Sequence, residues 1–234
     1  MSLCQLSSLF RGKNMIDLHT HTTFSDGVLI PSELIRRAEN IGYRAIAITD
    51  HCDYSNYKII VENVLRACEE CNKYWKIKAL AGVELTHNPP ETIPELAKKC
   101  RKLGAQIIIV HGETITEPVF PGTNKAAVLS DIDILAHPGL IEDETMQIAA
   151  KRGIYIEITA KYGHSLTNGH VAKLAKKYGA KMVINTDTHT PSNLITKKYA
   201  EKVLKGAGLN DYDIRKIFDN SVEIVKKYFP EFSL

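Results

Sequence analysis

Seven short β-rich runs alternating with amphipathic helical runs predict an α/β protein built on a parallel sheet, either closed as a barrel or doubly wound. Two further observations frame that reading. The chain has 234 residues without linker, low-complexity stretch or repeat, which suits one large domain rather than two ordinary ones. The turn after the first strand-like run reads His19-Thr20-His21, where a dinucleotide-binding sheet would place G-x-G-x-x-G.

The strand-like runs are Met15–His19, Arg44–Thr49, Ile77–Glu84, Ala105–His111, Ile132–His137, Ile154–Ile158 and Lys181–Asn185. Each is rich in Ile, Val, Leu or Ala with few polar interruptions, as expected of strands covered on both faces. The first helix, Pro31–Ile41, opens on a proline suited to its first turn and stops at Gly42. Helical runs follow at Ile59–Tyr74, Thr92–Leu103, Asn124–Leu129, Glu142–Lys151 and Gly169–Tyr178, with Gly104, Gly153 and Gly179 as stops. After the seventh strand only helices are expected, over Thr196–Lys205, Asp211–Asp219 and Ser221–Tyr228. Residues 1–14 read as an extension before a domain spanning 15–234. With Arg11 placed after its apolar residues and no small-residue cleavage site, the extension does not read as a secretory signal.

Composition excludes several classes. At 44% hydrophobic and 24% charged residues the chain is an ordinary globule. At this length folding buries roughly 70–75% of the extended-chain surface, so a bound metal would serve chemistry rather than stability. Thirty basic and 27 acidic residues leave a net charge of +3, too balanced for a reader of long nucleic acid. No apolar run approaches the roughly 20 residues that span a bilayer. Five cysteines, Cys4, Cys52, Cys68, Cys71 and Cys100, at irregular spacing read as reduced thiols in a cytoplasmic protein. Cys68 and Cys71 form a C-x-x-C inside a helical run with no second pair, and read as helix core.

The chemistry sits at the strand ends. They carry His19 and His21, Asp50-His51, Gly82-Val83-Glu84, His111-Gly112, His137-Pro138 and Asp187-Thr188-His189, with Ser25-Asp26-Gly27 just beyond the first. In a parallel barrel all these ends point to one rim, where barrel active sites are built. His19 and His21, two apart in an extended segment, leave the same side, and Asp187-x-His189 repeats the spacing. Imidazoles with carboxylates are a donor set for Zn, Mn or Fe. His87 and His170 read as surface or hydrogen-bonded residues, and His164 as a substrate contact. Asp17 and Asp50, each beside a histidine, read equally as groups that orient imidazoles or as solvated strand ends.

Asp-Leu-His-Thr-His with Ser-Asp-Gly, then Thr-Asp-His, Gly-Val-Glu, His-Gly, His-Pro and Asp-Thr-His, over residues 15–190, resemble the polymerase-and-histidinol-phosphatase (PHP) family of metal-dependent phosphoesterases. The resemblance implies a distorted seven-stranded (β/α)7 TIM-like barrel with C-terminal helices, holding two or three divalent ions. It implies that His19, His21, Glu84 and Asp187 surround one ion, and that Glu84 bridges to a second held by His111 and His137. Asp26, His51 and His189 would hold a third; Asp26 stands where some relatives have histidine. Glu84 and Asp187 would then act through a metal-bound water. Lys161, His164, Glu113 and Asn124 in the rim loops are expected to contact substrate, with Lys125 a further cation and Tyr54 and Tyr57 available for stacking. The expected reaction is hydrolysis of a small phosphate monoester, with histidinol phosphate leading. A nucleotide phosphatase or nuclease, a TatD-like or amidohydrolase-like hydrolase, and a non-catalytic RNA-binding barrel are the competing readings.

Overall fold

The computed structural model describes residues 14–234. The expected extension over residues 1–14, with Cys4, lies outside the described residues except for Asn14, whose N–H donates to the Gly42 carbonyl at 3.1 Å. Seven parallel strands form a nearly closed barrel in sequence order: β1 (Met15–Asp17), β2 (Tyr43–Ile48), β3 (Lys78–Leu85), β4 (Ile107–His111), β5 (Ile134–Ala136), β6 (Tyr155–Thr159) and β7 (Met182–Asn185). A two-residue continuation of β2, His51–Cys52, pairs with β3 and sets His51 beside Glu84. The wall closes between β1 and β7 through one bridge, Thr20 to Thr188, where the His21 N–H donates to the Thr188 carbonyl at 2.8 Å.

Helices α1 (Pro31–Ile41), α2 (Tyr57–Tyr74), α3 (Ile93–Lys102), α4 (Thr123–Leu129), α5 (Asp143–Arg152) and α6 (Asn168–Tyr178) each connect one strand to the next. Two helices follow β7, α7 (Lys197–Gly206) and α8 (Asp211–Lys226). The sequence reading had split α8 in two near Asn220. Instead Asn220 and Ser221 stay helical: the Asn220 amide donates to the Met182 carbonyl at 2.7 Å, and buried Ser221 donates back to Ile217. The remaining boundaries lie within two residues of expectation. β5 is the most shortened, and both β1 and β5 end just before the histidines expected at their ends, His19 and His137.

Two apolar layers follow from period-2 alternation. Ile46, Ile48, Ala79, Ala81, Val83, Ile108 and Val110 pack outward against the helices. Ala45, Ala47, Leu80, Ile107, Ile109, Ile134, Tyr155 and Val183 fill the barrel, sealed by Ile224, Val225 and Phe232 of α8 and the chain end. The inward face of β3 thus runs Leu80, Gly82, Glu84, and that of β4 runs Ile107, Ile109, His111. The fill changes from apolar to ionisable towards the carboxyl ends of the strands. No helix among the described residues is long and apolar enough to cross a membrane.

Candidate metal centre

At the carboxyl end of the barrel the nine residues expected from the motifs come together. Glu84 lies at their centre. Its Oε1 is 3.2 Å from His19 Nε2 and 3.6 Å from His137 Nε2; its Oε2 is 2.7 Å from His51 Nδ1 and 3.7 Å from His21 Nε2. Asp187 Oδ1 is 3.1 Å from His21 Nε2 and 3.8 Å from His19 Nε2, while Oδ2 is 3.9 Å from His137 Nε2. Asp26 closes one side, with Oδ1 at 3.4 Å from His51 Nε2 and 3.2 Å from His189 Nε2. His111 stands edge-on to His137 with ring centroids 4.4 Å apart.

Local backbone choices make this convergence possible. Gly27, in the turn that carries Asp26, lies so close to His21 that a Cβ there would sit 2.4 Å from the His21 carbonyl oxygen. His137 and Asp187 both have positive φ, +24° and +51°, a conformation that costs of order 1–3 kcal/mol and is held where surrounding structure dictates it. Asp50 shapes the same turn by accepting from the Thr22 N–H, Thr22 Oγ1 and Ser25 Oγ, all at 2.7 Å.

The fit to divalent cations can be judged from the donor atoms. Nε2 of His19, His21 and His137, Glu84 Oε1 and Asp187 Oδ1 are fully buried and make no hydrogen bond, although they face one another. Unpaired buried polar atoms cost roughly 1–3 kcal/mol each, and lone pairs aimed at lone pairs repel unless a cation lies among them. The electrostatics agree. Burial opposes charge on His19 and His51, yet Glu157, Glu84 and Asp187 raise the first well above the usual imidazole range, and Glu84 with Asp26 raises the second to about 10. Burial raises the Glu84 and Asp187 carboxyls, but the imidazoles around them, His19 foremost, hold both well below the carboxylate range. A pocket this negative favours any cation. His21, lowered by burial to about 3, and His137, lowered further by burial and His111, stay in the neutral form that metals take.

Sequence reasoning missed several partners. Glu157, noted only as lying near a strand end, accepts from both His19 Nδ1 at 2.8 Å and Asn185 at 2.9 Å, fixing the His19 ring so that Nε2 faces the cluster. Glu117 lies in the β4–α4 loop, with Oε2 at 3.0 Å from His111 Nε2 and 3.4 Å from His87 Nε2. His87 is exposed, as expected, but its ring lies 5.1 Å from that of His111 at the edge of the cluster. Inward parity on β6 could have found Glu157; nothing in the sequence marks Glu117.

Other expectations are redirected. Neither Asp17 nor Asp50 hydrogen-bonds an imidazole side chain. Asp17 accepts from Thr186 and the His19 backbone, tying β1 to β7, and burial pushes its carboxyl up to about 7. Glu113, expected to contact substrate, instead has its Oε1 accepting the Gly122 and Asn124 N–H groups at 3.0 and 2.7 Å, at the start of α4. The Asn124 side chain bonds the Glu113 N–H and the Pro138 carbonyl. Lys125 pairs with Glu144. Lys161 does reach the cluster, with Nζ 2.9 Å from the Asp187 carbonyl oxygen, 3.5 Å from Asp187 Oδ2 and 2.7 Å from His189 Nδ1. His164 stacks on His137 at 4.3 Å. Tyr54 and Tyr57 meet each other edge-on, and His170 bonds the Ile141 carbonyl as expected. Cys68 and Cys71 are free and buried in α2.

The PHP domain family matches residues 17–137, more than half of the chain. The chain belongs to the PHP domain family. The uncharacterized protein MJ1295 of Methanocaldococcus jannaschii is 54% identical over 200 residues, covering 85% of this chain and 92% of that protein. A probable phosphatase of Thermoanaerobacter sp. is 27% identical over 94% of this PHP chain and 96% of its own length. Among solved structures, a chain in a cryo-EM structure of archaeal ribonuclease P with mature tRNA superposes with a TM-score of 0.68. It has 20% identity and covers 94% of both chains, a likeness that shows the fold alone.

Proposed function

We propose that this PHP chain is a metal-dependent phosphate monoesterase acting on a small phosphorylated substrate, with histidinol phosphate the first to test. The observation that carries the reading is the set of buried, unpartnered imidazole and carboxylate atoms aimed at one another across the barrel mouth. His19, His21, Glu84 and Asp187, with His111 and His137 on one side and Asp26, His51 and His189 on the other, would hold two or three ions of Zn, Mn or Fe. Such ions lower the pKa of bound water towards neutrality and stabilise charge on a transferring phosphoryl group. The chain's own residues do the rest. Glu84 and Asp187 share their carboxylates among several imidazoles, and Glu157 keeps His19 in one orientation. Lys161 supplies a fixed positive charge beside Asp187, suited to a phosphoryl oxygen.

A cavity of about 490 Å³ adjoins Lys161 and is lined also by Tyr162, Ser192, Asn193 and Tyr199, room for the alcohol part of a small ester. The phosphatase name of the Thermoanaerobacter relative supports the same reaction. Four free, buried cysteines suit a reducing cytoplasm. A purely RNA-binding role would leave so many converging donors unexplained. Phosphate release with added Mn²⁺, measured over phosphomonoesters, nucleoside monophosphates and dinucleotides, tests the proposal. Turnover of a phosphomonoester that stops with chelator is expected; hydrolysis unaffected by complete metal removal would overturn it.

A further inference from the structure

Beyond the nine motif residues, two rim loops bring further groups to His111 and His137. We propose that His164 and Glu117 complete, with His111 and His137, a four-residue cation position at the barrel mouth. The assignment rests on the metal-centre reading above and extends it to residues outside the motifs.

His164 is buried, at 5% exposure, and its ring stacks on that of His137 at an interplanar angle of 17°. Its Nδ1 is anchored by Thr114 Oγ1 at 2.7 Å and Thr116 Oγ1 at 3.0 Å. Nε2 is left facing Glu117 Oε1 at 3.3 Å and Asp187 Oδ2 at 3.8 Å. An imidazole tethered at one nitrogen and open at the other is how proteins orient a ligand histidine. His111 follows the same pattern: Nδ1 lies 3.2 Å from the Gly112 carbonyl oxygen, and Nε2 faces Glu117. Both nitrogens of His137 lack any hydrogen bond. One ligand atom from each of His111, His137 and His164 lies within 4.8 Å of the others.

Glu117 supplies the anion this trio lacks. Its two oxygens divide between two of the rings, Oε2 at 3.0 Å from His111 Nε2 and Oε1 at 3.3 Å from His164 Nε2. Three imidazoles and one carboxylate are a donor set for zinc and its first-row neighbours. A substrate contact would not require a histidine so deeply buried, stacked on one ligand and tethered by two hydroxyls.

The test titrates Co²⁺ into the metal-stripped full chain, with visible absorption and equilibrium dialysis as readouts. His164→Gln, Glu117→Gln and Thr114→Val are compared with His170→Ala, a histidine bonded to the Ile141 carbonyl outside the cluster. One Co²⁺ should bind about tenfold or more weakly in His164→Gln and Glu117→Gln, and by a similar factor in Thr114→Val, while the other ions bind as in the parent. His170→Ala should match the parent. Glu117 lies on a part-exposed loop, so its substitution decides the matter even if His164→Gln loses its fold by circular dichroism. Parent-like Co²⁺ affinity in Glu117→Gln, or in a folded His164→Gln, whether or not KM for a phosphate ester rises, would overturn the assignment and leave the metal centre standing. A parent chain that takes up no Co²⁺ would overturn both.

Discussion

Glu84 faces His19 and His137 through one oxygen and His51 and His21 through the other, which sets its carboxylate among four candidate ligands. If Glu84 bridges two ions as proposed, Glu84→Ala would leave those cations without their shared anion. Phosphate release should fall at least about a thousandfold, while circular dichroism of the metal-free protein stays unchanged because the barrel fill is apolar. Glu157→Gln probes the layer beneath. It removes the charge that orients His19 without removing a ligand, and metal affinity measured against a chelator should weaken by about 10–100-fold. Cys68→Ala should be nearly silent in turnover. Burial pushes that thiol above its usual range, so it should also resist iodoacetamide in the folded chain, which mass spectrometry of the labelled protein would check.

At the scale of elements, the strand ends were legible because each ligand motif directly follows a β-rich run. Residues as distant as His19 and Asp187 are therefore assigned to one rim by the sequence pattern alone. The rim loops were not legible. Which loop folds back over the mouth depends on contacts between loops, such as Thr114 with His164, and no periodicity encodes them. For the same reason Glu113 was read as a substrate contact, when its carboxylate instead caps α4. The break expected near Asn220 failed because tertiary contacts, the Asn220 bond to Met182 among them, override weak helix propensity. Two predictions belong here. Gly27→Ala puts a methyl 2.4 Å from the His21 carbonyl oxygen, so the turn must move and Asp26 with it; one metal equivalent should be lost in elemental analysis while the thermal midpoint changes little. Ile224→Ala, in the seal of the barrel fill, should do the reverse. It should cost about 2–5 kcal/mol in denaturant unfolding with metal stoichiometry unchanged.

The whole molecule is a ring with one weak joint. Among the described residues six of its seven strand junctions are ladders, whereas the backbones of β1 and β7 pair only at the Thr20–Thr188 bridge, with side-chain bonds from Thr186 to Asp17 beside it. That bridge is flanked on one side by His19 and His21 and on the other by Asp187 and His189, so ions gripped by both pairs would act as a clasp across the joint. Cation occupancy and ring closure are then one equilibrium seen from two ends. Metal should tighten the molecule where its backbone pairing is sparsest. The His21 amide, donor to the Thr188 carbonyl, should exchange its proton with solvent more slowly when Mn²⁺ is bound. Amides in the middle of β4, already laddered on both sides, should show no change.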